Sequence, residues 1–219
     1  MQLKPRYNQK INTTIQRIGI NGEGVGYWHK YTVFIDGALP GEVVQARVIE
    51  TKKHYGRGRL TVIENPSPHR VEPVCSFFGR CGGCQLMHLD YTEQLNMKRQ
   101  RVVDALERIG KILDVPVLPC LPSPSPFSYR NKIQIPILPD ENGGIKMGLY
   151  ARHSHDLVEV DHCHIHCGIG EQIWKIAKNI FKKSGITAYD WNAQQGVLRH
   201  LIIKTAVNTR QALVVVVTN

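Results

Sequence analysis

Residues 9–20 read QKINTTIQRIGI. Ile11, Thr13 and Ile15 alternate with Asn12, Thr14 and Gln16, the period-two pattern of a strand with one buried face. Three more short β-branched segments follow: YTVFID (31–36), EVVQARVIET (42–51) and RLTVIE (59–64). NGEGVG (21–26), Asp36-Gly37 and Pro40-Gly41 punctuate them. Short strands at regular spacing predict a small OB-type barrel of about five strands over residues 1–65. Asn65-Pro66-Ser67-Pro68 breaks the pattern, and residues 66–72 read as a linker.

Charge points to a partner for that barrel. The 219-residue chain carries 28 Lys and Arg against 18 Asp and Glu, a formal net charge of +10. Residues 1–70 hold eleven of those cations and five of the acids, so a third of the chain carries most of the excess. This favours an anionic partner, with nucleic acid first and an acidic membrane second. Lys52, Lys53, His54, Arg57 and Arg59 cluster around Tyr55, an aromatic among cations that suits base stacking with phosphate contact. The competing reading is a solvated hairpin loop. The longest apolar run, Ala212 to Val217, is far too short for a membrane span. The basic N-terminus has no apolar core of a signal peptide. A cytoplasmic protein without membrane association is expected.

Residues 73–219 read as a mixed α/β domain. In 88–110, Tyr91, Leu95, Val102, Leu106 and Ile109 share a helical face, with Asp90 placed to cap the start and Gly110 to stop it. Residues 115–127 are Pro-rich and predict neither helix nor central strand. Strands are predicted at 129–138, 145–150, 197–207 and 211–219, and a second helix at 171–185. The fold class expected is thus mainly β with α+β.

Cys75-x5-Cys81-Gly82-Gly83-Cys84 places three thiols within ten residues. The two glycines let the backbone wrap closely round one centre. A fourth ligand would come from Cys163 or Cys167, or from His162, His164 or His166. The spacing differs from the paired Cys-x2-Cys of a zinc ribbon and tilts toward iron–sulfur, with zinc as the rival. A disulfide framework does not suit a chain without a secretory signal. Cys120, in the Pro-rich segment, reads as a packing residue. The alternation of His162, His164 and His166 would place three imidazoles on one strand face; satisfied or surface histidines are the plainer reading.

CSFFGRCGGCQLMHLDYTEQLNMKRQRV (75–102) resembles the signature of the TRAM-domain, iron–sulfur RNA uracil-C5 methyltransferases. The likeness continues in SPFSYRNKIQ (125–134), LVEVDHC (157–163) and GVLRHLIIK (196–204). It implies that residues 1–65 are a TRAM RNA-binding barrel, and that Cys75, Cys81, Cys84 and Cys163 bind a [4Fe-4S] cluster, with Cys167 the fallback. Lys52, Lys53, Tyr55, Arg57, Arg59, Arg130 and Lys132 are then candidate RNA contacts. The family transfers a methyl group from S-adenosylmethionine to uracil C5 after a cysteine thiolate attacks C6 of a flipped-out base. The joint presence of TRAM and cluster motifs implies the 23S rRNA branch over the tRNA branch.

No Gly-rich loop follows a strand here, and no cysteine or carboxylate matches the family's nucleophile and base. A C-terminal Rossmann-like methyltransferase domain is therefore expected to be absent. The chain is expected to hold no S-adenosylmethionine site and to be inactive alone, its catalytic domain supplied in cis or in trans. Helix 91–110 would pack on that domain. The alternatives are a stand-alone iron–sulfur or zinc-stabilised RNA-binding module, and an electron-transfer protein.

Overall fold

The computed structural model describes residues 3–219, which divide into two compact units. One comprises the chain up to Pro73 together with Gln85–Pro122, the other Val74–Cys84 with Ser123–Asn219.

The first unit holds β1 (Lys10–Ile18), β2 (Gly24–Trp28), β3 (Tyr31–Asp36), β4 (Val43–Thr51) and β5 (Tyr55–Asn65). They close a barrel in the order β1-β2-β3-β5-β4. Only β3 and β5 run parallel. The alternation in β1 puts Ile11 and Ile15 inside with Tyr31, Val33, Ile35, Val44, Ala46 and Val48. Tyr31 is fully buried, and its hydroxyl donates to the carbonyl of Lys52 at 2.9 Å.

β2 is a strand where the sequence suggests only a turn. Its glycines answer close approach: a Cβ on Gly24 would lie 2.7 Å from the Ala38 carbonyl oxygen, and one on Gly26 2.6 Å from Thr13 Oγ1. Composition hides this strand because contact with neighbours outweighs glycine's poor strand propensity.

The segment after the barrel is not a free linker. Glu42 is fully buried and gathers it: its Oε1 accepts from Ser67 N at 3.2 Å and from Arg70 Nε at 2.6 Å, and its Oε2 from Leu39 N at 2.8 Å. Arg70 also donates to the Gly37 carbonyl at 2.7 Å.

The first helix, α1 (Tyr91–Asp104), belongs to this unit, although its sequence position suggests the 73–219 segment. Asp90 caps it, its side chain accepting from Thr92 N and Glu93 N. Residues Ala105–Ile109 continue as a wider turn, closed by Gly110 N donating to Ala105 O at 2.9 Å. Gly110 keeps right-handed helical dihedrals, so the helix ends by widening. α1 buries none of its residues. Met97 reaches the cluster of Ile18, Leu39 and Leu89, and Gln94 Nε2 donates to the carbonyls of Leu86 and Leu89.

The second unit holds β6 (Lys132–Pro139), β7 (Ile145–Met147), a two-stranded piece of β8 (Leu149–Tyr150) and β9 (Leu157–Val158), α2 (Gly168–Ser184), β10 (Leu198–Ala206) and β11 (Gln211–Thr218). The antiparallel sheet runs β11-β10-β6-β7. Ile133, Ile135, Ile137, Met147, Leu201 and Ile203 form one buried face, on which α2 lays Trp174, Ile173, Ala177 and Phe181. α2 starts at Gly168, three residues before its expected start, with Cys167 in the N-cap position but making no side-chain capping hydrogen bond, and Gly185 ends it in the left-handed region at φ 71°. β11 leaves Leu213, Val214, Val215 and Val216 exposed.

Glu42 yields a pH prediction. Burial alone raises a carboxyl's pKa, but the Arg70 hydrogen bond and charge and the Leu39 and Ser67 amides outweigh it, and the Glu42 pKa is lowered. A lowered carboxyl pKa gives stability that is present above the unfolded-state value and lost as pH falls through the folded one. Urea midpoints should therefore drop on acidification below the ordinary carboxylate range, and Glu42→Gln should flatten that dependence. Arg70→Ala, which strands a buried carboxylate, should cost about 3–5 kcal/mol at neutral pH in the same melts.

Candidate nucleic-acid interface and cysteine centre

Strand register builds the barrel's basic surface. Lys10 pairs with Arg47, Arg47 with Arg59, and Arg59 with Asp36. Residues directly opposite share a face, so three cations cross β1, β4 and β5 in one row. Lys10 and Arg59 are exposed and Arg47 is half-buried. Sequence reading finds Arg59 but not Lys10 or Arg47. The signal for Arg47 is its place between buried Ala46 and Val48, but the row exists only once register is known.

Tyr55 is 37% exposed and meets Phe34 edge-on at 5.5 Å. Phe34 is in register with Arg57. Lys52 and Arg57 both turn to Glu50, at 2.8 and 3.5 Å, so part of their charge is answered within the protein. Lys53 is exposed.

In the second unit Lys132 pairs with Lys204 across β6 and β10, a second site of adjacent cations. Arg130 precedes it, exposed at its side chain and bridged to His166 through the backbone. Its N–H donates to Ile165 O at 2.7 Å, and its carbonyl accepts from Cys167 N at 2.9 Å.

Cys75, Cys81, Cys84 and Cys163 influence one another electrostatically, and all six cysteines are free thiols. Burial pushes the Cys84 thiol up to about 11; negative charge on Cys163, Cys81 and Cys75 pushes the same way, and Arg130 pulls against it. Burial likewise raises Cys81 and Cys163. Neighbouring thiols add to the cost of ionising Cys81, Cys84 and Cys163, a cost that a bound cation would reverse. Gly82 serves the close approach: its N–H donates to Tyr150 O at 2.9 Å, and a Cβ would stand 3.1 Å from that oxygen. Among the described residues, no group of three or more His, Cys, Asp or Glu side chains is placed to hold a metal ion. Cys167 is buried at the N-cap position of α2, and Cys120 is half-buried in the first unit.

The histidines do not line a strand face. Residues 161–167 form turns organised by Glu171, a nearly buried carboxylate on the first turn of α2. Its Oε2 meets His162 Nδ1 at 2.9 Å and accepts from Cys163 N at 3.2 Å, and its Oε1 meets His166 Nδ1 at 3.0 Å. Burial opposes ionisation of Glu171, but the His166, Cys163 and His162 contacts prevail and its pKa is lowered. His166 is buried, and a Cβ on Gly170 would lie 2.3 Å from its ring.

The barrel matches the TRAM domain over residues 7–61. The chain is similar to bacterial RNA methyltransferases along nearly its whole length. It is 42% identical over 211 residues to an uncharacterized RNA methyltransferase of Clostridium tetani, covering 96% of this chain and 45% of that protein. A Halalkalibacterium halodurans relative of the same description is 39% identical over 96% of this chain and 46% of its own length. The chain thus spans about half the length of the curated relatives it matches. Among solved structures, the Pyrococcus abyssi tRNA (uracil-54, C5)-methyltransferase in complex with S-adenosyl-L-homocysteine matches with TM-score 0.65 and 25% identity, over 94% of this chain and 46% of that one.

These matches correct three expectations. The absence of a methyltransferase domain, the reading of the chain as a fragment or module without enzymatic activity, and its inactivity do not stand. The relatives aligned to 96% of it are named RNA methyltransferases, and the tRNA methyltransferase covers 94% of it. An absent S-adenosylmethionine site, a separately supplied catalytic domain and the 23S rRNA branch gain no support from these matches, the solved neighbour being a tRNA methyltransferase.

Glu171→Ala should leave the Cys163 amide and two imidazole nitrogens without their acceptor. A loss of about 2–4 kcal/mol in denaturant melts is expected. Cys163 should also become faster to alkylate with iodoacetamide, read by peptide mass spectrometry.

Proposed function

We propose that this chain serves S-adenosylmethionine-dependent methylation of uracil C5 in RNA, with the barrel gripping the RNA and Cys75, Cys81, Cys84 and Cys163 carrying a [4Fe-4S] cluster. The observation that carries the reading is the match along 94% of the chain to a uracil-C5 methyltransferase solved with S-adenosyl-L-homocysteine. The cation row Lys10–Arg47–Arg59 and the Tyr55–Phe34 pair support RNA as the substrate class, through phosphate contacts and base stacking. Arg57, Lys52, Lys53 and, in the second unit, Lys132 add positive charge. Arg130 acts at the cysteine centre, its charge set against thiolates.

The Cys75-x5-Cys81-Gly-Gly-Cys84 spacing, unlike the paired Cys-x2-Cys of a zinc ribbon, supports a cluster over zinc. When bound, the cluster supplies a four-point covalent anchor between the 75–84 and 161–167 segments. The chain's own part is to present the thiols, offset their charge with Arg130 and hold Cys163 through Glu171.

The protein expressed from its complete gene, incubated with S-adenosylmethionine and transcripts labelled with tritium at uracil C5, should release tritium. Transcripts of tRNA and of 23S rRNA separate the two substrates. No release from either would overturn the methylation reading. Anaerobically purified protein should be brown, with absorbance near ~400 nm and about four irons per chain. Cys163→Ser should lose most of that iron while Cys167→Ser keeps it. One zinc and no iron would overturn the cluster.

A further inference from the structure

The loop between α2 and β10 presents an exposed aromatic, Trp191. Asp190 N donates to Gln195 O at 2.8 Å, and Asp190 Oδ1 accepts from Asn192 N at 2.8 Å and Ala193 N at 3.2 Å. The return is tight: Gly196 has φ +103°, and a Cβ there would stand 2.1 Å from the Ala188 carbonyl oxygen. The closed loop holds Trp191 63% exposed, edge-on to Tyr189 at 5.3 Å.

Arg199, on β10, sets its guanidinium 4.1 Å from the centre of the Trp191 ring and 5.3 Å from that of Tyr189. Its Nε is buried without a hydrogen-bond partner. The cation is therefore held against two rings. With the guanidinium against the indole, Trp191 still leaves most of its surface to solvent, at 63% exposure. A pinned loop keeps a large apolar surface exposed and ordered, which lowers the entropy cost of a ligand stacking there.

We propose that Trp191, backed by Arg199 and Tyr189, is a stacking platform for one unpaired base of the bound RNA. A base offers a flat π face to the exposed indole, and the guanidinium against it adds cation–π attraction and positive potential for the adjoining phosphate. The chain's net charge of +10 and its TRAM match favour RNA over an apolar peptide as occupant. The platform is sequence-tolerant, because every base has such a face. This inference rests on the RNA reading above and adds a second contact, in the second unit.

The test is fluorescence anisotropy with the full chain, using labelled twelve-nucleotide oligouridine and a blunt RNA duplex as probes across a salt series. Trp191→Ala should weaken oligouridine binding about 5- to 100-fold at fixed salt, with the salt dependence unchanged and duplex binding unaffected. Trp191→Phe should keep most of the affinity. Arg59→Ala should instead reduce the salt dependence. Thermal melts of each variant, matched to the parent, show that folding is intact; the exposed position makes that the expected result. Parent-like oligouridine affinity in Trp191→Ala, with the Arg59 effect present, overturns the platform and leaves the RNA reading standing. If the parent binds neither probe, both fail. Equal losses on oligouridine and duplex also overturn stacking, since a paired base cannot leave its neighbours for the indole.

Discussion

The cysteine centre depends on one buried carboxylate. Residues 161–167 belong to no named strand and pair with residues 128–130 only around an isolated bridge, so the loop that carries Cys163 needs a further tie. Glu171 supplies the order: both its oxygens are used, by the Cys163 amide and two imidazoles. Desolvating a carboxylate is costly, and three polar contacts together with the amino-terminal end of α2 offset that cost. Gly170 completes the arrangement, because any side chain there would occupy the space of the His166 ring. The helix start, the histidine and the cysteine loop are therefore one constraint.

The first unit uses a similar device at a similar place. Glu42 sits where the chain leaves regular strand pairing, and it ties residues 67–70 back onto the barrel. Here the partner is a guanidinium, which stays charged at every working pH, whereas Glu171 is held by two imidazole nitrogens and a backbone amide. The barrel strap should thus yield only when Glu42 itself protonates. Both cases show the same division of labour: apolar alternation builds the sheets, and a buried acid fixes the irregular segment that joins them.

That division explains what was legible in the sequence. Periodicity reads side chains against solvent, so Ile11, Thr13 and Ile15 foretell β1 and Ile173, Ala177 and Phe181 foretell α2. It does not read backbone against backbone, so Gly24 and Gly26 conceal β2. Alternating His162, His164 and His166 imitate a strand because the pattern carries no record of Glu171, nine residues from the first of them. The Cys75–Cys84 spacing is visible as a motif, while the approach of Cys163 is a property of the fold. Register, which no local pattern contains, makes the row of Lys10, Arg47 and Arg59. Trp191 gives no periodic signal, and its partner Arg199 lies in the next strand.

The cysteine loop and the start of β6 share hydrogen bonds, and this links the two chemistries of the second unit. Arg130 receives Cys167 N at its carbonyl and gives its own N–H to Ile165, two residues before Lys132 enters the sheet beside Lys204. Its charge, meanwhile, favours ionisation of Cys81 and Cys84 against the burial that opposes it. Whatever steadies those thiols also steadies the loop from which the strand hangs, and with it the spacing of the Lys132–Lys204 pair.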